Sequence, residues 1–155
     1  MPMSETPDTG ERLAIEEGDD PTWMSLRLRM KLDLVGLKIS LVQWQKFATL
    51  DRGKLNAAPA ETATDTALFA AMLTQSMTAA GLPAPVALAE KKLAGRAFWN
   101  SSGPTPAVVV DVCEAAGLDP RWAELDRFGR FVVFHLASRG DVPRLRGALS
   151  ELLVG

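Results

Sequence analysis

Apolar and polar positions alternate strictly from Ser25 to Leu34: Leu26, Leu28, Met30, Leu32 and Leu34 interleave with Arg27, Arg29, Lys31 and Asp33. Taken alone, that period of two is the signature of a half-buried strand. Composition argues the other way. Leu, Met, Arg and Lys are good helix formers, no β-branched residue precedes Val35, and Gly36-Leu37 suits a left-handed helix end with an apolar clasp. The stretch therefore reads as a helix, with a lone hairpin over residues 26–41 as the alternative, because Leu37, Ile39 and Leu41 continue the alternation.

The later segments carry helical spacing. Ser40 with Gln43 forms a capping box that opens a helix bearing Trp44 and Phe47. After a Pro/Ala/Thr loop from Ala57 to Thr64, Phe69, Leu73, Met77 and Ala80 share one stripe that Gly81-Leu82-Pro83 ends. Pro85 is expected to open a helix aligning Val86, Ala89, Leu93 and Ala97, and Asn100-Ser101-Ser102-Gly103-Pro104 breaks the chain. Thr105-Pro106 starts a helix through Val108, Val112 and Cys113 to Gly117. Asp119-Pro120 are expected to cap a long helix carrying Trp122, Leu125, Phe128, Val132 and Leu136, whose second half is apolar nearly all round and should be the most buried. Gly140 ends it, and Asp141 caps a last helix with Leu145, Leu149 and Leu152.

One phrase occurs twice: Gly-Leu, a short gap, then Trp-x-x-apolar-x-x-apolar-x-Arg. The copies are Gly36-Leu37 with Trp44, Phe47, Leu50 and Arg52, and Gly117-Leu118 with Trp122, Leu125, Phe128 and Arg130. A further apolar match falls at Leu55 and Val133. The predicted fold is all-α, a compact bundle of about six to seven helices built from two related helix-Gly-helix units. Its structural anchors are Gly36, Trp44, Gly117, Trp122, Arg130 and Phe131.

Charge divides the chain. Residues 1–20 carry seven acids and one arginine, a net of -6, and the remainder carries sixteen bases and twelve acids, a net of +4. Few apolar anchors in residues 1–20 suggest a disordered acidic tail, with residues 21–155 as a single helical domain. Between residues 21 and 54, Arg27, Arg29, Lys31, Lys38, Lys46, Arg52 and Lys54 face only Asp33 and Asp51. Such a run is either the solvated side of an amphipathic element, a dock for an acidic partner, or a surface covered by the acidic tail.

Catalytic and metal chemistry find little to stand on. His135 and Cys113 are the only residues of their types, too few for a tetrahedral metal site, and a thiol in an apolar helix is an inert one. No Gly-x-Ser-x-Gly elbow, phosphate loop or dinucleotide fingerprint occurs. No apolar run spans a bilayer and the acidic start is unlike a secretion signal, so the expectation is a cytoplasmic protein without cofactor or metal. A DNA-binding helix-turn-helix reading conflicts with the acidic balance and the apolar second copy, so no nucleic acid is expected. Sequence sets no oligomeric state.

The block Lys31-Leu32-Asp33-Leu34-Val35-Gly36-Leu37-Lys38-Ile39-Ser40-Leu41, followed by Gln43 and Trp44, resembles the first signature of the nitrate reductase-associated protein family. Pro106 to Gly117, then Trp122, Leu125 and Arg130-Phe131-Val132-Val133-Phe134, resemble its second. The chain departs from the family pattern after that run, where His135 takes a basic position and Ser138 to Pro143 replace a polar His/Asn-containing stretch. The resemblance implies a non-catalytic accessory protein that supports assimilatory nitrate reductase, with Arg27, Arg29, Lys31 and Lys38 as the expected partner-binding residues. Two alternatives stand beside it: a small-molecule or cofactor-binding helical protein with a pocket near Trp44 and Trp122, and a helical interaction module of another pathway.

Overall fold

A computed structural model describes residues 13–16 and 23–153 of the 155-residue chain. Eight α-helices occur among them: α1 (Leu26–Val35), α2 (Leu41–Gln45), α3 (Thr49–Ala57), α4 (Ala63–Ala79), α5 (Glu90–Trp99), α6 (Ala107–Ala116), α7 (Arg127–Ser138) and α8 (Val142–Leu152). Two 3-10 turns, Ala14–Glu16 and Trp122–Glu124, and a two-stranded antiparallel ribbon of β1 (Leu37–Lys38) and β2 (Val86–Ala87) complete the described elements. The predominantly helical class agrees with the sequence reading.

The alternating stretch is indeed helix α1. At 100° per residue, Leu28 and Leu32 fall on one side and Leu26, Met30 and Leu34 on another, so period-two apolarity wraps around the cylinder instead of lining one face. Leu26, Leu28, Met30 and Leu32 are all buried. Ser25 caps the start by accepting from the Leu28 N–H, and Gly36 ends the helix at φ 70°, ψ 31°. The hairpin alternative survives only in that Leu37 and Lys38 are extended, and they pair with Ala87 and Val86 across the ribbon.

That pairing corrects the helix expected from Pro85. Val86 and Ala87 are strand, and α5 starts at Glu90. Pro83 and Pro85 withhold two backbone donors and hold φ, while β-branched Val86 fits the extended partner that β1 offers. The caps expected from Thr105, Asp119 and Pro120 are also displaced: Pro106 holds the N-cap of α6 without a side-chain bond, and Asp126 caps α7 by accepting the Gly129 N–H at 2.8 Å.

The described residues form two compact units that meet in sequence inside α5. Among the described residues the first comprises 23–93 and the second 13–16 and 94–153. In the first, α1 packs on α4 and α3 around Leu28, Leu32, Trp44, Phe47, Leu55 and Phe69. In the second, α7 lies against α6 and α8, with seven of its twelve residues buried, in keeping with its all-round apolarity. Phe131 meets Trp99 edge-on at 5.0 Å between centroids and stacks on His135 at 5.4 Å. Within the segment read as a tail, residues 13–16 form a turn packed on α8; the other residues of 1–20 lie outside the described residues.

Candidate functional site

The repeated phrase encodes a helix break. In both copies the helix expected to run through the Trp is interrupted just after it: α2 stops at Gln45 and α3 starts at Thr49, and the turn Trp122–Glu124 is followed by α7 from Arg127. A break strands backbone carbonyls that a continuous helix would have used. The Arg that closes each phrase repairs this by reaching back five residues. Arg52 Nη1 donates to the Phe47 carbonyl at 2.6 Å, and Arg130 Nη1 donates to the Leu125 carbonyl at 2.8 Å. Arg130 Nε also holds the Trp99 carbonyl at 2.9 Å, tying the end of α5 to α7. These two arginines are therefore structural cations.

Lys31 is one as well, which removes it from the expected docking patch. It is 3 % exposed, and its ammonium donates to the carbonyls of Leu55 at 3.1 Å and Asn56 at 2.6 Å, at the C-terminal end of α3. Those carbonyls sit where the helix dipole is negative, and the Nζ lies 6.0 Å from the Phe69 ring centroid, so burial of the charge is compensated locally. Spacing alone does not single it out, because Arg27 lies within about 40° of Lys31 around α1. Of the other expected partner residues, Lys38 is exposed on β1, and Arg27 and Arg29 are half-buried on α1. Lys46 and Lys54 are exposed as well.

Exposed large apolar side chains concentrate in the same unit. Val42 on α2, Leu50 on α3, Leu68 on α4, Val86 on β2 and Trp23 are all exposed, whereas the second unit contributes Phe98, which stacks on Phe134 at 5.5 Å. On α3 the exposed Leu50 and Lys54 are four residues apart and so share one side of the helix. A face of this kind can hold a partner by charge at the rim and by apolar contact.

The interior offers less. Trp44 and Trp122 are both buried, and neither enclosed indole N–H meets a protein acceptor. Trp122 also borders a depression of about 300 Å³ in the second unit, along with Thr105, Cys113, Glu114, Asp119 and Arg121. Burial, then the nearby Asp119 charge, pushes the Cys113 thiol above its ordinary pKa, so it stays protonated and unreactive near neutral pH. Arg121 takes a left-handed conformation at φ 45°, held by the Asp119 carboxylate on its N–H at 3.0 Å and by a two-bond pair with Glu124. A second, open groove of about 600 Å³ runs past Ala115, Ala116, Val142 and Arg146. Among the described residues no group of three or more His, Cys, Asp or Glu side chains could hold a metal ion, and no helix is long and apolar enough to cross a membrane.

These features define a class: a helical protein in which Lys31, Arg52 and Arg130 are spent on the carbonyls at helix ends and breaks, with exposed basic and apolar side chains on its first unit. The family described as Conserved nitrate reductase-associated protein matches residues 17–152, and the chain belongs to it. No curated protein and no solved structure matches the chain.

Proposed function

We propose that this protein is a non-catalytic accessory factor that docks on nitrate reductase through its first unit. Family membership over residues 17–152 carries the reading, since the family is named for association with that enzyme. Supporting it are the exposed cations Lys38, Lys46 and Lys54 and the exposed aliphatics Val42 and Leu50, all of the first unit. An acidic, partly apolar patch on the reductase is their complement. Charge of this kind speeds encounter and falls away with salt, because the screening length is about 10 Å at 0.1 M. Co-purification of the reductase with tagged protein at low and high salt tests it. The combined K38E, K46E and K54E variant should lose most recovery at low salt, and Leu50→Asp should lose recovery at both. Undiminished recovery with the triple variant would remove this face from the function.

A further inference from the structure

The turn that ends α6 builds a recess. The Leu118 N–H bonds back to the Cys113 carbonyl at 2.8 Å, which folds the following loop over the last turns of the helix. Leu118, Pro120 and Trp122 from that loop, with Val110 and Cys113 from α6, wall the depression of about 300 Å³, a size at the lower end of small-molecule sites. Two features of the wall go beyond packing. Trp122 is 4 % exposed and its indole N–H has no acceptor, an unfavourable state for a buried donor. Trp44, its counterpart in the repeated phrase, shares the orphan N–H but is sealed in the first unit's core, whereas Trp122 borders an opening. Beside it, Arg121 is the one non-glycine residue with positive φ among the described residues. Such backbone persists only where its surroundings over-determine it, and it concentrates at ligand sites. Here the Asp119 carboxylate on the Arg121 N–H and the Glu124 carboxylate on its guanidinium hold it.

Charge decides what the recess can take. Arg121 is the one cation among the lining residues, and Glu124 occupies its guanidinium. Glu114 and Asp119 remain, so the balance of the lining is acidic. The Asp119 charge also reaches the wall, where it adds to burial in raising the Cys113 thiol. A cation is favoured in such a field and an anion is repelled. We propose that this recess binds a compact organic amine with an apolar body and an oxygen able to accept a hydrogen bond. The ammonium meets Glu114 and Asp119, the body packs on Val110, Leu118 and Pro120, and the oxygen accepts the Trp122 indole N–H. This site is independent of the reductase-docking reading, which uses the first unit.

Tyramine and para-hydroxyphenylacetate share a phenol and differ in the sign of the terminal charge, so they serve as matched probes. Each is titrated into the isotope-labelled full chain. The indole N–H signal of Trp122, assigned through its backbone neighbours, is followed in proton–nitrogen NMR spectra. Tyramine should move that signal downfield and saturably, as an N–H moves on gaining an acceptor, while those of the buried Trp44 and Trp99 stay in place. The anionic probe should leave it unmoved. Combining Glu114→Gln with Asp119→Asn should weaken tyramine about fivefold or more, because both carboxylate charges are lost. The asparagine oxygen still accepts the Arg121 N–H, so the loop is retained. Should the double variant lose its helical circular dichroism, Glu114→Gln alone, at an exposed helix position, should weaken tyramine about twofold. An indole signal that tyramine leaves unmoved, equal shifts from both probes, or undiminished affinity in the charge-neutral variant would overturn the proposal.

Discussion

The two units put the same phrase to opposite uses. Up to the glycine they run in parallel: α1 and α6 each have ten residues, each ends at a glycine with φ 70° and ψ 31°, and each buries the residues four and eight positions before it, Leu32 and Leu28 in one, Cys113 and Val109 in the other. Past the Trp they diverge. Phe128 is 6 % exposed and α7 continues through the buried Phe131, Val132 and Val133. Its counterpart Leu50 is 69 % exposed, and α3 follows it with Asp51, Arg52, Gly53 and Lys54. One copy builds a core. The other turns the first half of its second helix, with Leu50 and Lys54, to solvent while Leu55, the counterpart of Val133, stays in its core. Backbone geometry can thus be repeated while the solvent-facing pattern decides which copy is scaffold and which is face.

The matched positions allow this contrast to be broken in steps. Phe128→Ala should cost about 3–5 kcal/mol in urea denaturation, whereas Leu50→Ala should stay within about 0.5 kcal/mol. Comparable losses at both would mean that the two copies are equally buried in solution. Replacing the break-repairing cations comes next. Arg130→Met strands the Trp99 and Leu125 carbonyls and should cost about 1–3 kcal/mol, more than Arg52→Met, because Arg130 also ties α5 to α7.

The glycines sharpen the comparison further. Gly36→Ala and Gly117→Ala both force a side chain into left-handed backbone, at about 1–2 kcal/mol each. Only the first adds a contact, 3.1 Å from Leu93 Cδ2, while nothing lies within 4 Å at the second, so Gly36→Ala should be the more destabilising. Smallest is the cap. Asp126 caps α7, and the equivalent Ala48 caps α3 with no side-chain bond. Asp126→Ala should lose about 1 kcal/mol and Ala48→Asp should gain a similar amount, measured as opposite shifts of the urea midpoint. Equal response to both would imply that α3 is already capped another way.

Much of this was legible from the chain. The helical class, the glycine stops at Gly36, Gly81, Gly117 and Gly140, the capping box at Ser40 and Gln43, and the start of α8 at Asp141 all follow from local chemistry, because caps and left-handed glycines act within a few residues. The placement of the cations proposed for docking was legible only in part. Lys38 is exposed as expected, but Lys31 was indistinguishable from its neighbours until α3 brought the carbonyls of Leu55 and Asn56 to its ammonium.

Sequence by itself determined that this protein is helical, where its helices stop, and that one phrase is used twice. Tertiary structure decided which cations are structural, why the phrase breaks its helix, which copy faces solvent, and that a turn from the N-terminal segment rests on Gly147. The physical reason is range. Backbone satisfaction at a helix end is settled among residues a few positions apart, whereas the burial of a charge or an aliphatic side chain depends on which distant segments arrive beside it.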